Sequence, residues 1–232
     1  MPPAFVQGKD ITDDTVGQNP TLAFTSNLTA GNLFVGFVTW KSSTVTLDSI
    51  TDTLGHTITL VNNPTATNGG NYRSALFYAK NISGGADTLT FNFSASTTTN
   101  GLVHEVSGLD TIAPLDQSAI VDQTAPGTGT DAVTTGNVTT TTDGQYIFGC
   151  SQNDNGIDMS AGTGFTERVA QADELTSEDK IQTSADAVAA TWTAVGTGGF
   201  WGHGIATFKA AAAAGAEGGG PRTFAAFVPG FP

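Results

Sequence analysis

The segment Gly31-Asn32-Leu33-Phe34-Val35-Gly36-Phe37 has an echo 113 positions on, in Gly144-Gln145-Tyr146-Ile147-Phe148-Gly149-Cys150. Each is a turn signal followed by a run that is apolar at consecutive positions. The full run Leu33–Trp40 reads as a central strand covered on both faces. The echo continues in order. Gly55-His56-Thr57 aligns with Gly164-Phe165-Thr166 at an offset of 109. Asp87-Thr88-Leu89 aligns with Asp186-Ala187-Val188 at an offset of 99, which places Phe93 over Trp192 and His104 over His203. The shrinking offset predicts shorter loops in the second copy. Two small sandwiches and one large interleaved sandwich both satisfy this pattern.

The stretches between the echoes alternate. In Thr88–Ser94, Leu89, Phe91 and Phe93 point one way and the polar residues the other, the period-two signature of a half-buried strand. Thr is the commonest residue, 38 of 232, with 29 Gly to supply turns. No stretch before residue 209 carries helical spacing over three turns. The expected fold is all-β: an internally duplicated, jelly-roll-like antiparallel β-sandwich over residues 1–209, with repeat one at about 20–110 and repeat two at about 130–209. After Lys209 the composition changes. Residues 210–220 are an Ala/Gly linker, and residues 221–232 hold three Phe, a Val and three Pro. Prolines keep such a segment extended, and it reads as an arm that docks through Phe224, Phe227, Val228 and Phe231.

A net charge of −13 argues against nucleic acid or an anionic membrane as partner, since both require basic surfaces. One Cys excludes an internal disulfide framework, and Met1–Phe5 carries no secretory leader pattern. The residues that could carry chemistry are few. His104 and His203, if equivalent across the repeat, could share a metal near a pseudo-twofold axis; the alternative is that each packs in an apolar layer. Glu105 faces away from His104, so the two cannot form a dyad. Asn153–Asp158 resembles a calcium loop without its full spacing, and Asn/Asp/Gly clusters are also ordinary turn chemistry. Asp173, Glu174, Glu178 and Asp179 read as a solvated loop and strand edge, and Cys150 as packing. Trp40, Trp192, Trp201, Tyr72 and Tyr78 would form a sugar-stacking platform if exposed, with Trp40 and Tyr72 the freer ones and Trp192 in the inward register. Carboxylates such as Glu105 and Asp179 are not paired as a hydrolase requires. The expectation is no enzyme, no cofactor and no metal.

The strands LFVGFVTW (33–40), ITDTLGHTITL (50–60), SALFYAKNISGGADTLTFNFS (74–94), HEVSGLDTIAPLD (104–116) and GFWGHGIATFKA (199–210) together resemble a broad group of duplicated β-sandwich proteins. These are accessory proteins of tailed-bacteriophage particles and of bacterial surfaces. The resemblance covers about residues 20–209, and the arm has no counterpart in it. It implies a binding or decorating module with no catalytic residue. The expected role is a virion structural protein, assembled in the host cytoplasm, most simply a capsid decoration protein. Its partners would be the major capsid protein, other virion subunits and copies of itself. A carbohydrate-binding or adhesive module is the alternative.

Overall fold

A computed structural model describes residues 1–11, 15–61, 65–67, 72–124, 129–153, 157–171, 175–196 and 200–212. The arm residues Phe224, Phe227, Val228 and Phe231 lie outside them, as do Asp173, Glu174 and residues 154–156. The described chain is all β, as expected. Its first half forms β1 (Ala4–Asp10), β2 (Thr15–Gly17), β3 (Thr21–Ala23), β4 (Leu33–Trp40), β5 (Leu47–Asp52), β6 (Thr59–Leu60), β7 (Thr65–Thr67), β8 (Tyr72–Ala79), β9 (Thr88–Phe93) and β10 (Thr97–Ser107). The second half forms β11 (Leu115–Thr124), β12 (Gly129–Thr134), β13 (Val138–Thr139), β14 (Gln145–Asn153), β15 (Met159–Ala161), β16 (Thr166–Gln171), β17 (Leu175–Gln182), β18 (Ala187–Val188), β19 (Thr191–Gly196) and β20 (Phe200–Phe208).

Each half has one large antiparallel sheet. The orders are β1-β10-β4-β8-β6 in the first half and β11-β20-β14-β17-β16 in the second, the same five-strand path, with β2 pairing β10 and β7 pairing β8 in the first half in addition. The ladders agree in detail. β1 slips register against β10 between Phe5 and Gln7, and β11 slips against β20 between Leu115 and Gln117, a β-bulge at the same place in both halves. Gly31 and Gly144 both hold positive φ (86° and 73°), as do Gly55 and Gly164 (74° and 83°), where a side chain would strain the turn. Smaller sheets, β3-β9-β5 in the first half and β12-β19-β15 with β13-β18 in the second, cover the outer faces.

Side-chain alternation sorts the interior into three cores. Phe34, Val38, Phe77 and Val103 pack outward against Phe91 and Phe93 of β9. Ile147 and Ile205 pack outward against Val133, Val188 and Trp192. The opposite faces of the same inner strands meet each other: Leu33, Val35 and Phe37 of β4 share a third core with Tyr146, Phe148 and Cys150 of β14. The molecule is therefore two sandwiches packed back to back, four sheets deep. That explains why β4 and β14 are buried at every position and apolar on both faces.

One glycine in each half lies where a side chain would collide with its neighbours. A Cβ on Gly36 would sit 2.6 Å from the Leu102 carbonyl oxygen and collide with the Phe77 ring. Gly149, at the matching position of β14, would meet Ala190 Cβ at 2.7 Å and Glu178 Cγ at 3.0 Å. Gly36→Ala is expected to cost about 2 kcal/mol through overpacking, read as a lowered melting midpoint in thermal unfolding. Gly149→Ala should cost less, because its contacts are looser. A reversed ranking would mean that β8 moves more freely than the packing implies.

Candidate functional site

The junction between the two inner sheets holds an apolar cluster and, beside it, one connected polar chain. There, His104 of β10 is fully buried and reaches across to the second half. Its Nδ1 lies 3.0 Å from Tyr146 Oη and its Nε2 2.7 Å from Ser177 Oγ. The Tyr146 hydroxyl donates to Asp179 Oδ2 at 2.8 Å, and Arg168 Nε donates to Asp179 Oδ1 at 3.0 Å. The proton positions follow from these partners. A carboxylate only accepts, so Tyr146 gives its single proton to Asp179 and must accept from His104 Nδ1–H. The His104 Nε2 is then an acceptor for the Ser177 hydroxyl, which in turn accepts from the Val169 amide at 3.2 Å. Every member of the chain is satisfied. His104 is also edge-on to Phe5 and Phe148, 5.1 and 4.9 Å between ring centroids. Burial first, and then the Arg168 charge, pushes the His104 pKa down to about 3, and burial lifts the Tyr146 hydroxyl well above its ordinary range.

This corrects the reading of Glu178 and Asp179 as a solvated edge. They lie in β17, between β14 and β16, with 0% and 3% of their surface exposed. Strand alternation sends Asp179 into the junction and Glu178 into the second sandwich. There the Glu178 carboxylate accepts from the Gly162 and Thr191 amides at 2.8 and 3.0 Å, and burial raises its pKa to about 7. Glu178 stands where the first half has Phe77, since both lie opposite a matching glycine, Gly149 and Gly36.

The pairing of His104 with His203 is also corrected. Val106 pairs with Leu33 and Phe208 with Tyr146, so the ladder equates Val106 with Phe208 and His104 with Ala206, an offset of 102 rather than 99. A shift of three is odd and reverses the face. His203 points into the second sandwich, stacked on Trp192 at 5.8 Å and hydrogen-bonded through Nδ1 to Ser151 Oγ at 2.9 Å. The two imidazoles belong to different cores, so they do not share a metal.

The other sequence candidates fall into place one by one. Glu105 is fully buried on the face opposite His104; it accepts from Gln7 Nε2, the Thr29 amide and Asn32 Nδ2 at 2.6–2.8 Å and so organises the entry to β4. Cys150 lies in the junction core, its thiol pKa raised by burial. Trp40, expected to be free, is 1% exposed with its indole N–H on the Val45 carbonyl at 2.9 Å. Trp192 is 1% and Tyr78 9% exposed, so neither belongs to an exposed platform; the Trp201 side chain lies outside the described residues. Asn153 turns its own amide on Ile157, accepting from its N–H and donating to its C=O, which is turn chemistry.

One cluster that sequence reading missed brings together Asp52, His56 and Asp87. His56 Nδ1 is 2.7 Å from Asp52 Oδ2 and 3.7 Å from Asp87 Oδ2. The other ring nitrogen, Nε2, accepts from the Ser83 amide at 2.8 Å. The ring proton must then sit on Nδ1, facing the carboxylates, and no lone pair is left there for a metal. Asp87 Oδ1 meanwhile gathers the Thr53, Leu54 and Thr88 amides. The cluster is a clasp that ties the loop after β5 to the loop before β9. Its melting temperature should be the same in EDTA as in about 1 mM zinc or calcium; a rise of several degrees with metal would reverse this assignment.

Beside the His104 chain the surface opens into a cleft of about 380 Å³ between the start of β1 and the β16–β17 edge. Tyr146 and Asp179 line it together with Arg168 and Lys180. No protein-family model, curated protein or solved structure matches this chain.

Proposed function

We propose that this chain is a non-enzymatic structural component of a larger particle, the most specific form of the reading being a capsid decoration protein of a tailed phage. The observation that carries it is how the His104 chain uses its groups. Ser177, His104, Tyr146, Asp179 and Arg168 direct their hydrogen bonds at one another across two halves of one chain, which favours a stiff double sandwich over a reacting centre. A stiff slab with an apolar tether suits assembly. The sandwich lies on the particle, and Phe224, Phe227, Val228 and Phe231 reach a neighbouring subunit, adding a second contact at high effective concentration. The major capsid protein or a second copy of this chain is the expected neighbour.

The test is co-expression with the capsid protein encoded in the same replicon, followed by gradient separation. Full-length chain should run with the particles. Chain ending at Gly220 should fall about tenfold or more in copies per particle. Truncated chain retained at full copy number would overturn the arm, and full-length chain absent from the particle band would overturn the assembly role. An adhesive or carbohydrate-binding role is the second reading, and the cleft beside Arg168 and Lys180 is the feature that favours it.

A further inference from the structure

Strand β11 lies at the edge of its sheet, paired with β20 alone among the described residues. A free edge is a row of unpaired amides and carbonyls open to another strand, and proteins blunt such edges with Lys, Pro, bulges, short strands or covering segments. The other ends of the two large sheets are blunted in those ways. β1 carries Lys9 and is tied at Gln7, whose side-chain amide exchanges hydrogen bonds with the Ser26 backbone at 3.2 and 3.0 Å. β6 is two residues long, and β16 is bulged and carries Glu167 and Arg168. The ten residues of β11 include no Lys, Arg, Pro or Gly. Its bulge, at Asp116, lies at one end and leaves residues 117–124 in unbroken register with β20. β11 also borders two cores: Ile120 packs against the junction core and Ala119 against the core of the second sandwich, and both are only partly buried.

The geometry points to β11 as the receptor for the arm of a second copy of this chain, residues 223–228 adding to the sheet as an antiparallel strand. This rests on the reading of residues 221–232 as a docking arm, and it names where and how the arm docks. The run Thr223-Phe224-Ala225-Ala226-Phe227-Val228 is free of Gly and Pro and is bounded by Pro221 and Pro229, so its length fits within residues 117–124. In an extended strand Phe224 and Phe227 face opposite sides, and one phenyl ring extends each of the two cores that β11 borders. The direction follows from Arg222, the arm's one charged residue. An antiparallel strand brings it to the Asp122 end of β11. A parallel one brings it to the Leu115 end, where the Asp116 carboxylate already accepts from Thr141 and Gln145. Linker length then assigns the arm to another copy. The chain leaves β20 at the Leu115 end, Lys209 N–H donating to the Pro114 carbonyl. To pair antiparallel with its own β11 the arm would have to begin at the Thr124 end, about 30 Å away at the rise of a strand. The Ala/Gly-rich residues 213–222 span only about 17 Å on average as a flexible linker.

The experiment is sedimentation velocity of the purified full-length chain, with no particle present, over about three decades of concentration. Full-length chain should associate as its concentration rises, and chain ending at Gly220 should stay monomeric. Amide hydrogen exchange at the highest concentration should show protection gained at alternate residues of 117–124 in the full chain relative to the shortened one. Phe224→Ala and Phe227→Ala should each weaken association about tenfold. Amides alternate in direction along a strand, so one of Ala225→Pro and Ala226→Pro removes a hydrogen bond to β11 and should weaken association about tenfold. All four substitutions lie in the arm and leave β1–β20 unaltered. A full chain that is monomeric throughout overturns the second copy as occupant, and association that survives truncation overturns the arm. Protection gained at another edge overturns β11, and two neutral prolines overturn the added strand. Copies per particle are read separately on the gradient, so failure of the capsid role and failure of this contact are distinguishable.

Discussion

Replacing Asp179 by alanine is expected to lower the unfolding free energy by about 3 kcal/mol, measured by urea denaturation at neutral pH. Two losses combine. The Tyr146 hydroxyl, on a residue 1% exposed, loses its only acceptor in an apolar junction, and an unsatisfied buried donor costs about 1–3 kcal/mol. Arg168 loses its counterion, but its side chain is 31% exposed and water recovers part of that interaction. Tyr146→Phe removes the donor to Asp179 and the acceptor of His104 Nδ1–H together, and should cost about 1–2 kcal/mol. Because these groups form one directional chain, the two substitutions should not add. A double-mutant cycle should give a coupling of about 1 kcal/mol. Strict additivity would mean that the hydrogen bonds at 2.8 and 3.0 Å are not energetically linked. An Asp179→Ala midpoint equal to wild type would remove the junction chain as a source of stability.

The contrast between legible and illegible parts of this molecule follows from what a local pattern can carry. Strands β4 and β14 announce themselves, because burial on both faces leaves a continuous apolar run behind a turn glycine. Leu89, Phe91 and Phe93 do so through alternation. Leu175-Thr176-Ser177-Glu178-Asp179 does not, because its polar residues are buried by partners far along the chain: Ser177 by His104, 73 residues away, and Asp179 by Tyr146, 33 away. Hydropathy periodicity sees a polar edge where the fold has an interior strand. The misplaced histidine pairing has a related cause. The repeat offset rises again by three before β20, and an odd slip of register exchanges the two faces of a strand while leaving the alternation intact. Asp52, His56 and Asp87 were invisible for the same reason, since a clasp across two loops has no spacing of its own. The back-to-back arrangement of the two sandwiches is implicit in the doubly apolar strands, although two separate cores would have satisfied the alternation equally.

Acidification should weaken the fold before any carboxylate with a lowered pKa is titrated. His104 and His203 are buried neutral, with pKa values near 3 against 6.5 in the unfolded chain, burial being the first cause for both. A depressed histidine contributes its full stability above pH 6.5 and loses it as the pH falls toward 3, at about 1.4 kcal/mol per pH unit for each ring. Glu178 works in the opposite sense. Its pKa is raised to about 7 from 4.5, so its contribution is complete below pH 4.5 and is lost as the pH rises to about 7. Between pH 4.5 and 6.5 two rings oppose one carboxyl, and stability should climb with pH by roughly 1.4 kcal/mol per unit in net. From pH 6.5 to 7 the histidine contribution is flat and only Glu178 acts, so the curve should turn over gently near pH 6.5. Asp110 and Asp116, whose pKa values lie below the usual carboxylate value, act only at lower pH. Urea midpoints taken at half-unit steps from pH 4.5 to 8 trace this curve. Glu178→Gln should abolish the fall above pH 6.5 and steepen the acid limb to that of two rings alone. A wild-type profile that is flat across this range would mean that the two imidazoles are solvated in the native state, contrary to their position in the cores.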